Sequence, residues 1–301
     1  MAKLFLLPVQ VGGLERQLPS KPPEMARTSL SRQKLLNHTR SYLELFTMRS
    51  RKVSNYNLEL KTMSISVEEV GGKGLACVVD VRNESQVAQA VQRAVEEYGG
   101  IDILINNASA IALTNTESTE MKRFDLMHSI NVRGTFLVSK LCLPHLKKSS
   151  HAHILNISPP LNLVPGWFGP HVAYTMSKYG MSMCVLGMQE EFKPFNIAVN
   201  ALWPRTTIDT AALQIHPTGE DRRRRGRNAT ILADAAYWIL TQEPKPNGQF
   251  FIDEEVLFKA GVTELDQYAV NRSYKDNLQQ CIFAPAPAAG GDVIDRIRCR
   301  L

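Results

Sequence analysis

The pattern of hydrophobic and polar residues becomes regular from residue 67 onward. Short apolar runs, often rich in β-branched residues, alternate with longer segments whose apolar residues recur at helical spacing. The short runs predict strands at residues 74–81, 101–109, 153–158, 196–204 and 248–255. The longer segments predict helices at residues 84–100, 119–148 and 229–242, with another around Tyr174. Nearly continuous apolar strands that alternate with helices are typical of an α/β fold, in which helices cover both faces of a parallel sheet.

Polar stretches follow three of the predicted strands. These stretches read NNAS, NIS and LWPRTTIDT. Ligands of open parallel sheets bind beyond the carboxyl ends of the strands. We therefore expect the three stretches to meet in one crevice.

Charged residues are distributed unevenly along the chain. Residues 1–66 hold eleven Lys and Arg against four Asp and Glu, so the formal net charge of +6 comes from this segment. We predict a basic, atypical N-terminal arm at 1–66, an α/β domain at 67–272 and a disordered Pro/Ala/Gly-rich tail at 273–301. The arm is similar to a mitochondrial transit peptide. The alternative is a leader segment that carries no targeting signal. Its arginines are not interleaved with aromatic side chains, so nucleic acid is not a predicted partner.

Composition narrows the class of protein further. No run of about 18 apolar residues occurs, so no transmembrane segment is predicted. The five cysteines are scattered and form no C-x-x-C pair. They indicate reduced thiols of an intracellular protein, and no metal site is predicted. His151 and His153 stand at a strand start, where we expect them to face solvent.

Tyr174 and Lys178 are the strongest chemical signal in the chain. Residues four apart lie on the same face of a helix, with Cβ atoms about 5–6 Å apart. An ammonium at that distance favours the phenolate and lowers the pKa of the tyrosine. The pair is therefore suited to exchanging protons near neutral pH.

Other short motifs accompany this pair in a characteristic order. They are Asp80-Val81, Asn106-Asn107-Ala108, Asn131, Ser158 and Pro204. Together with the Y-x-x-x-K pair they resemble the short-chain dehydrogenase/reductase family over roughly residues 66–272. The resemblance implies a Rossmann-type, doubly wound parallel sheet. It also implies an NAD(P)-dependent oxidoreductase acting on a carbonyl or secondary alcohol of a lipid-like substrate, with NADP as the expected cofactor and NAD as the alternative.

The resemblance implies a catalytic role for four residues. Tyr174 would be the general acid/base, and Lys178 would lower its pKa and bind the nicotinamide ribose. Ser158 would hold the substrate oxygen. Asn131, which interrupts the helix 119–148, would anchor a water that relays protons. The structural alternatives are that Ser158 only forms a turn and that Asn131 is an ordinary polar residue of a helix.

The resemblance also implies cofactor contacts beyond Lys178. Asp80 would accept a hydrogen bond from the adenine amino group, and Asn107 would lie against the adenosine ribose. Ile208 and Thr210 would meet the nicotinamide carboxamide. The alternative for Asp80 is a cap at the end of a strand.

One part of the family pattern is not found in residues 1–66. The family begins with a strand, a T-G-x-x-x-G-x-G loop and a helix, and the loop binds the cofactor pyrophosphate. We therefore expect a fold without this first unit. The alternative function is a catalytically inactive isoform that acts as a binding or regulatory protein. In this family the helices at 119–148 and 170–192 form subunit contacts, which implies a homo- or hetero-oligomer.

Two further segments bear on substrate and location. GEDRRRRGRN at 219–228 stands where the family has a lid, and it indicates either a solvated charge run or a basic lid for an anionic substrate. The CRL ending at 299–301 resembles a peroxisomal tripeptide. We expect a peroxisomal or mitochondrial location, and a cytoplasmic one otherwise.

Overall fold

The computed structural model describes residues 74–210, 213 and 219–285. The predictions for the basic arm at 1–66 and for the CRL ending lie outside these residues. The strands are β1 (Ile103–Asn106), β2 (His153–Asn156), β3 (Ala198–Trp203) and β4 (Phe250–Ile252). The α-helices are α1 (Glu84–Tyr98), α2 (Met121–Met127), α3 (Thr135–Leu146), α4 (Val172–Glu191), α5 (Gly219–Arg224), α6 (Thr230–Leu240) and α7 (Asp253–Lys259).

The four strands form one parallel sheet in the order β1-β2-β3-β4. In the register of the ladder Leu104 pairs with Ile154, and Ile154 pairs with Val199. Parallel strands are joined by crossover segments, which here contain α2 to α4 and α5 to α6. The predicted α/β class with a parallel sheet is confirmed.

Both faces of the sheet are buried under helices. Leu104, Ile154 and Val199 face a core shared with α1 and α3. Leu155 and Leu202 face a second core shared with α6 and α7. Successive side chains of a strand point to opposite faces, so a short apolar run supplies both cores at once.

Helix α1 shows how the local sequence sets the ends of an element. The Asn83 side chain accepts a hydrogen bond from the backbone N–H of Gln86 at 3.1 Å, which caps the amino end. At the other end Gly99 adopts φ 85° and donates its N–H to the Val95 carbonyl. Only glycine adopts this left-handed conformation without a steric cost, so the helix stops where the sequence places the Gly-Gly pair.

The predicted helix at 119–148 is interrupted. A π-helical segment, His128–Gly134, separates α2 from α3 and has the fully buried Asn131 at its centre. Single π-helical turns inside α-helices are frequent at functional sites, because the extra residue redirects nearby side chains. The predicted interruption at Asn131 is confirmed.

Two predicted strand assignments need correction. Residues 74–80 form no β-ladder with any described residue, although Cys77 and Val79 are buried and Val78 between them is 48% exposed. The alternation of a strand is present here, but strand geometry also requires a hydrogen-bonded neighbour. The strand predicted at 248–255 ends at Ile252, because Asp253 begins helix α7.

The predictions for His153 and for the tail are also wrong in part. His153 does not face solvent: it is fully buried and lies 2.7 Å from the Asn200 side-chain nitrogen, because β2 is a central strand covered on both faces. The disordered tail expected from residue 273 is ordered as far as residue 285, where Phe283 is 1% exposed. Residues 286–301 lie outside the described part of the chain.

Three further observations concern membrane spans, cysteines and metal-ligating side chains among the described residues. No helix among them combines the length and apolar character that a membrane span requires. The four described cysteines are free thiols. No cluster of three or more metal-ligating side chains is found in 74–210, 213 and 219–285.

Helix α4 can approach the π-helical segment closely because Gly180 has no side chain. A Cβ at Gly180 would lie 2.6 Å from a methyl carbon of Val132, inside van der Waals contact, whereas a Cβ at Gly187 in the same helix meets nothing within 4 Å. We expect Gly180→Ala to lower the free energy of unfolding by about 1–3 kcal/mol through overpacking. The matched control Gly187→Ala should raise it by about 0.5–1 kcal/mol, because alanine favours a helix.

Chemical denaturation of both variants measures these changes. Adding Val132→Ala to Gly180→Ala should restore part of the lost stability, since it removes the methyl groups in conflict. Equal effects of the two glycine substitutions would contradict the close approach.

Candidate active site

Tyr174 and Lys178 lie one turn apart on the buried face of α4. Tyr174 is 5% exposed and Lys178 is 2% exposed. The helix begins at Val172, directly after His171, and the hydroxyl of Thr175 donates to the His171 carbonyl at 3.1 Å. This local hydrogen bond helps define the first turn, which carries Tyr174.

Lys178 reaches the carboxyl ends of two strands. Its ammonium group donates to the Ile157 carbonyl at 2.7 Å, just beyond the end of β2. It also contacts the Met181 sulfur at 3.2 Å and lies 5.1 Å from the centroid of the Trp203 ring, at the end of β3. The lysine therefore lies in the crevice where the sequence predicts that the post-strand segments meet.

Asn131 joins this crevice to the segment that follows β1. Its carboxamide oxygen accepts from the Ala110 N–H at 2.7 Å, and its amide nitrogen donates to the Ala110 carbonyl at 2.9 Å. The same nitrogen donates to the Ser177 hydroxyl at 2.9 Å, next to Lys178 in α4. Both amide hydrogens are thus used, and the side chain holds the post-β1 segment and α4 together.

Ser158 follows β2 and is 1% exposed. In the part of the chain that the structure describes, its hydroxyl has no hydrogen-bond partner, and the His171 Nδ1 atom is likewise buried without one. Among the described residues neither Ser158 nor Lys178 forms a hydrogen bond with the Tyr174 hydroxyl. Buried polar atoms in folded proteins are normally paired, so these unpaired groups mark a place where a ligand can supply the partner.

Phe283 covers the face of α4 that carries Tyr174. Its ring centroid lies 6.0 Å from that of Tyr174 and 5.6 Å from that of His171. The aromatic rings around it, with centroids 5.6 to 6.1 Å away, are Trp167, His171, Tyr174, Tyr179 and Trp203. We call these five residues the aromatic cage. Sequence reasoning missed Phe283, and the apolar triplet Ile282-Phe283-Ala284 was the signal that could have revealed it.

Phe283 belongs to a segment that is tied to the end of the sheet. We call residues 279–285 the strap. The Trp203 indole N–H donates to the Ile282 carbonyl at 2.7 Å, and the Arg205 guanidinium donates to the Pro285 carbonyl. The backbone of the strap is further bonded to Arg205, Thr207 and Arg225.

The strap holds Phe283 in an unfavourable backbone conformation. Its φ is 65°, in the left-handed region that a bulky residue rarely adopts. This conformation costs about 1–2 kcal/mol for a residue with a side chain. The packing of the ring in the aromatic cage and the hydrogen bonds of the strap offset that cost.

Burial shifts the pKa values of Tyr174 and Lys178 in directions that were not predicted. Burial raises the pKa of Tyr174, and the nearby Cys281 thiol adds to the increase. Burial lowers the pKa of Lys178 to about 7. The expected lowering of the tyrosine pKa is therefore absent in this closed arrangement, because a lysine shielded from water loses its proton before it can stabilise a phenolate.

A second polar network lies inside the sheet. The Asn106 side chain donates to the Asn156 carboxamide oxygen at 2.8 Å and to the Ser139 hydroxyl at 3.0 Å. Asn156 in turn donates to the Met181 carbonyl of α4 at 3.2 Å. Sequence reasoning named Asn106 only as part of the Asn106-Asn107-Ala108 motif and did not identify this network. The Asn-Asn pair contained a signal, because one amide faces inward and the next comes after the strand.

The proposed adenosine side of the site is partly formed by described residues. Asn107 lines a small cleft at the end of β1 together with Val81, Asn106, Ala108, Ile130, Gly134, Thr135 and Val138. Asp80 lies next to this cleft in sequence, and its carboxylate is bound by the Arg82 guanidinium, with a shortest distance of 2.6 Å. The hydrogen bonds from Arg82 hold the pKa of the Asp80 carboxyl group below its usual value. The group is therefore an ionised hydrogen-bond acceptor.

Ile208 and Thr210 follow β3 in a segment that pairs with Arg227. Ile208 is 8% exposed and forms an isolated parallel bridge with Arg227. Between them Asp209 forms an ion pair with Arg223 at 3.0 Å. The structure thus brings the two predicted carboxamide contacts to the same end of the sheet as Lys178.

The arginine-rich stretch is largely neutralised by its own neighbours. Arg223 and Arg224 form ion pairs with Glu220, at 3.5 Å and 3.1 Å. Arg225 lies 3.8 Å from Asp221, and Arg227 forms an ion pair with Glu254. This arrangement favours the solvated charge run over a basic lid for an anionic substrate.

Comparison with known proteins decides the family. A family model described as short chain dehydrogenase matches residues 49–219, which is more than half of the chain. The chain belongs to the short-chain dehydrogenase/reductase family. The family predicted from the sequence is therefore confirmed, and the match begins inside the segment that we assigned to the basic arm.

Curated members of the family are similar over about two thirds of this chain. Hydroxysteroid dehydrogenase-like protein 2 from Danio rerio is 58% identical over 209 residues, which are 69% of this chain and 50% of the relative. The protein of the same name from Homo sapiens is 56% identical, with the same coverage of both chains. This chain therefore spans about half the length of these curated relatives.

Solved structures of family members share the fold. A candidate dehydrogenase from Xanthomonas campestris is 42% identical with a TM-score of 0.73, over 82% of this chain and 93% of that one. A short chain dehydrogenase from Mycobacterium thermoresistibile is 38% identical with a TM-score of 0.71, over 85% and 92%. A 7α-hydroxysteroid dehydrogenase complexed with NADH shares the fold at 24% identity, with a TM-score of 0.56 over 64% and 78%.

The buried Lys178 makes the stability of this family member depend on pH. The ordinary pKa of a lysine, 10.5, applies to the unfolded chain, whereas burial lowers the pKa of Lys178 in the folded protein to about 7. Between these values the unfolded state binds more protons, so the free energy of unfolding should rise from pH 7 to pH 10. Lys178→Met should remove this dependence.

At pH 7 the variant should be more stable than the wild type. The wild type loses roughly 4–5 kcal/mol of stability because Lys178 must give up its proton on folding, and the methionine variant avoids this loss. The unsatisfied Ile157 carbonyl offsets about 1–3 kcal/mol of it, so a net gain of about 1–4 kcal/mol is expected. Urea unfolding across this pH range measures the difference, with the exposed Lys259→Met as control. A constant difference at all pH values would contradict a buried lysine with a lowered pKa.

Proposed function

We propose that this protein is an NAD(P)-dependent oxidoreductase that interconverts a carbonyl and a secondary alcohol on a lipid-like substrate. The observation that carries the proposal is the Tyr174 and Lys178 pair, buried on one face of α4 at the carboxyl ends of β2 and β3. Membership of a family of dehydrogenases and reductases supports the same reaction class.

In this proposal Tyr174 donates a proton to the carbonyl oxygen during reduction and removes it during oxidation. Lys178, once protonated, stabilises the phenolate. The unpaired Ser158 hydroxyl donates a hydrogen bond to the substrate oxygen. Asn131 holds the segment after β1 against α4, and the proton-relay water that we predicted for it stays a prediction.

The described residues fit the adenosine half of a nicotinamide dinucleotide. The cleft at the end of β1 lies beside Asn107, and the ionised Asp80 carboxylate provides an acceptor for an adenine amino group. Lys178 would hold the nicotinamide ribose, with Ile208 and Thr210 at the carboxamide. The bound cofactor supplies or accepts the hydride. We propose NADP with NAD as the alternative, since the residues expected to discriminate between them precede residue 74.

Replacing the Tyr174 hydroxyl tests the chemistry separately from binding. Tyr174→Phe keeps the ring that packs against Phe283 and removes the group that moves the proton. We expect a loss of at least about 100-fold in carbonyl reduction, because general acid/base catalysis contributes about 10²–10⁴-fold. Cofactor affinity, measured by calorimetry with NADPH and with NADH, should stay within about twofold.

Tyr237→Phe is the matched control, because it removes a hydroxyl from α6, outside the aromatic cage. It should leave reduction unchanged. If purified wild-type protein binds neither NADPH nor NADH at millimolar concentration, the oxidoreductase proposal fails.

The second candidate function is a catalytically inactive isoform that binds or regulates related subunits. The raised pKa of Tyr174 favours this alternative, as does the lack of a hydrogen bond to its hydroxyl from any described residue. The helices predicted to form subunit contacts, at 119–148 and 170–192, also expose large apolar side chains. Phe136 is 55% exposed, Met176 is 47% exposed and Met183 is 60% exposed.

Subunit association tests this alternative directly. We expect the protein to form oligomers with itself or with a full-length family member, detected by native mass spectrometry after mixing. Met183→Glu should weaken association at least about tenfold by placing a charge in the proposed contact. Phe258→Glu changes an equally exposed side chain on α7 and should have no effect. Only monomers, with or without the partner, would exclude a function through association.

A peroxisomal or mitochondrial location also stays a prediction. The segments that support it, the basic arm and the CRL ending, lie outside the described residues.

A further inference from the structure

We propose that the strap is a built-in occupant of the substrate site, and that an apolar, ring-sized carbonyl compound binds by displacing Phe283 from the aromatic cage. The inference rests on the proposed oxidoreductase function for the identity of the substrate. The displacement of the strap can be measured without any turnover.

The position of Phe283 is the first ground for this inference. Substrate must reach the Tyr174 hydroxyl and Ser158, yet both residues are at most 5% exposed. The Phe283 ring stacks on Tyr174 at an interplanar angle of 25° and on His171 at 11°. A molecule that packs against this face of Tyr174 must therefore take the place that the phenylalanine ring occupies.

The backbone of the strap is the second ground. Phe283 has φ 65°, and strained residues of this kind persist only where their surroundings hold them, often at switch regions and ligand clamps. Release of the strap relieves this strain, so the closed state is less favourable than its contacts alone would make it. Nearly all the anchoring hydrogen bonds involve backbone groups of the strap, which water can replace once it opens.

Unpaired polar atoms in the closed site are the third ground. Among the described residues the Ser158 hydroxyl and the His171 Nδ1 atom are buried without partners, and the Phe283 ring that stacks on His171 can offer none. A carbonyl compound supplies an oxygen for Ser158 and an apolar body for the cage. Phenylalanine supplies only the apolar body, so the exchange satisfies a group that the closed state leaves unsatisfied.

Opening the strap also restores the chemistry expected of the pair. Burial is the leading cause of the shifted pKa values of Tyr174 and Lys178. Cys281 of the strap raises the pKa of Tyr174 further, whereas its effect on the pKa of Lys178 opposes that of burial. When the strap leaves, both groups regain water and the lysine regains its proton. The closed state is thus a resting state, and the open state has the cationic lysine that a proton-transferring tyrosine needs.

The substrate class follows from the cage. Its five rings surround a space filled by one phenyl group, and none of its walls carries a formal charge. The ion pairs that neutralise the arginine-rich stretch leave little attraction for an anionic head group near the entrance. We therefore use α-tetralone, a flat, uncharged bicyclic ketone, as the probe.

Alkylation of Cys281 reports strap opening. Cys281 lies two residues before Phe283, and burial raises its pKa to about 12. We expect α-tetralone to increase the rate of Cys281 alkylation by iodoacetamide in the wild type, measured by peptide mass spectrometry. Phe283→Ala should raise the rate at least about tenfold without the probe, and α-tetralone should then add little. Cys142, which is fully buried in α3, serves as the internal control for global unfolding.

Affinity for the probe provides the second measurement. Without a ring to displace, Phe283→Ala should bind α-tetralone at least about fivefold more tightly, since apparent affinity is reduced by the closed fraction. Quenching of tryptophan fluorescence from Trp167 and Trp203 measures it. Phe258→Ala, in an exposed position of α7, is the matched control for both readouts. If Phe283→Ala does not fold, Phe283→Leu should give smaller changes of the same sign.

Two results would overturn the proposal. One is weaker binding of α-tetralone by the Phe283 variants, which would make the ring a fixed wall of the site. The other is a Cys281 alkylation rate in the wild type that saturating α-tetralone leaves unchanged. Oxidation of NADPH in the presence of α-tetralone is measured in parallel. Its absence together with a positive strap response would refute the oxidoreductase function alone.

Discussion

The hydrogen bond from the Lys178 ammonium to the Ile157 carbonyl connects the main parts of the site. It ties helix α4 to the end of β2, which in turn lies between β1 and β3 in the ladder. Because the bond is buried, α4 cannot shift along the sheet without leaving a polar group unpaired. The position of Tyr174, one turn earlier on the same helix, depends on this anchor.

The same burial sets the chemical state of the pair. A buried lysine that is close to neutrality gives little support to a phenolate, so the closed molecule combines a well-positioned tyrosine with an unfavourable pKa. The strap and its Phe283 ring form the removable part of that enclosure, whereas the sheet and α4 form the permanent part. The sheet and α4 therefore position Tyr174, whereas the enclosure by the strap affects its pKa.

Buried amides maintain the geometry around this site. Asn131 binds both backbone groups of Ala110 and reaches α4 through Ser177. Asn106 and Asn156 connect β1, β2 and α4 in a similar way within the sheet. Each amide uses directional hydrogen bonds where an apolar residue would allow sliding, which explains why polar side chains occupy strands that are otherwise hydrophobic.

The sequence by itself determined the α/β class, the order of the strands from β1 to β4, the interruption at Asn131 and the family. These depend on local periodicity and on residues close together in the chain, such as Tyr174 and Lys178. Only the tertiary structure decided that residues 74–80 lack a ladder among described residues, that His153 is enclosed, and that Phe283 covers Tyr174, which lies far from it in the sequence. Burial and pKa depend on what distant segments pack against a residue, and no local pattern around Tyr174 or Lys178 contains that information.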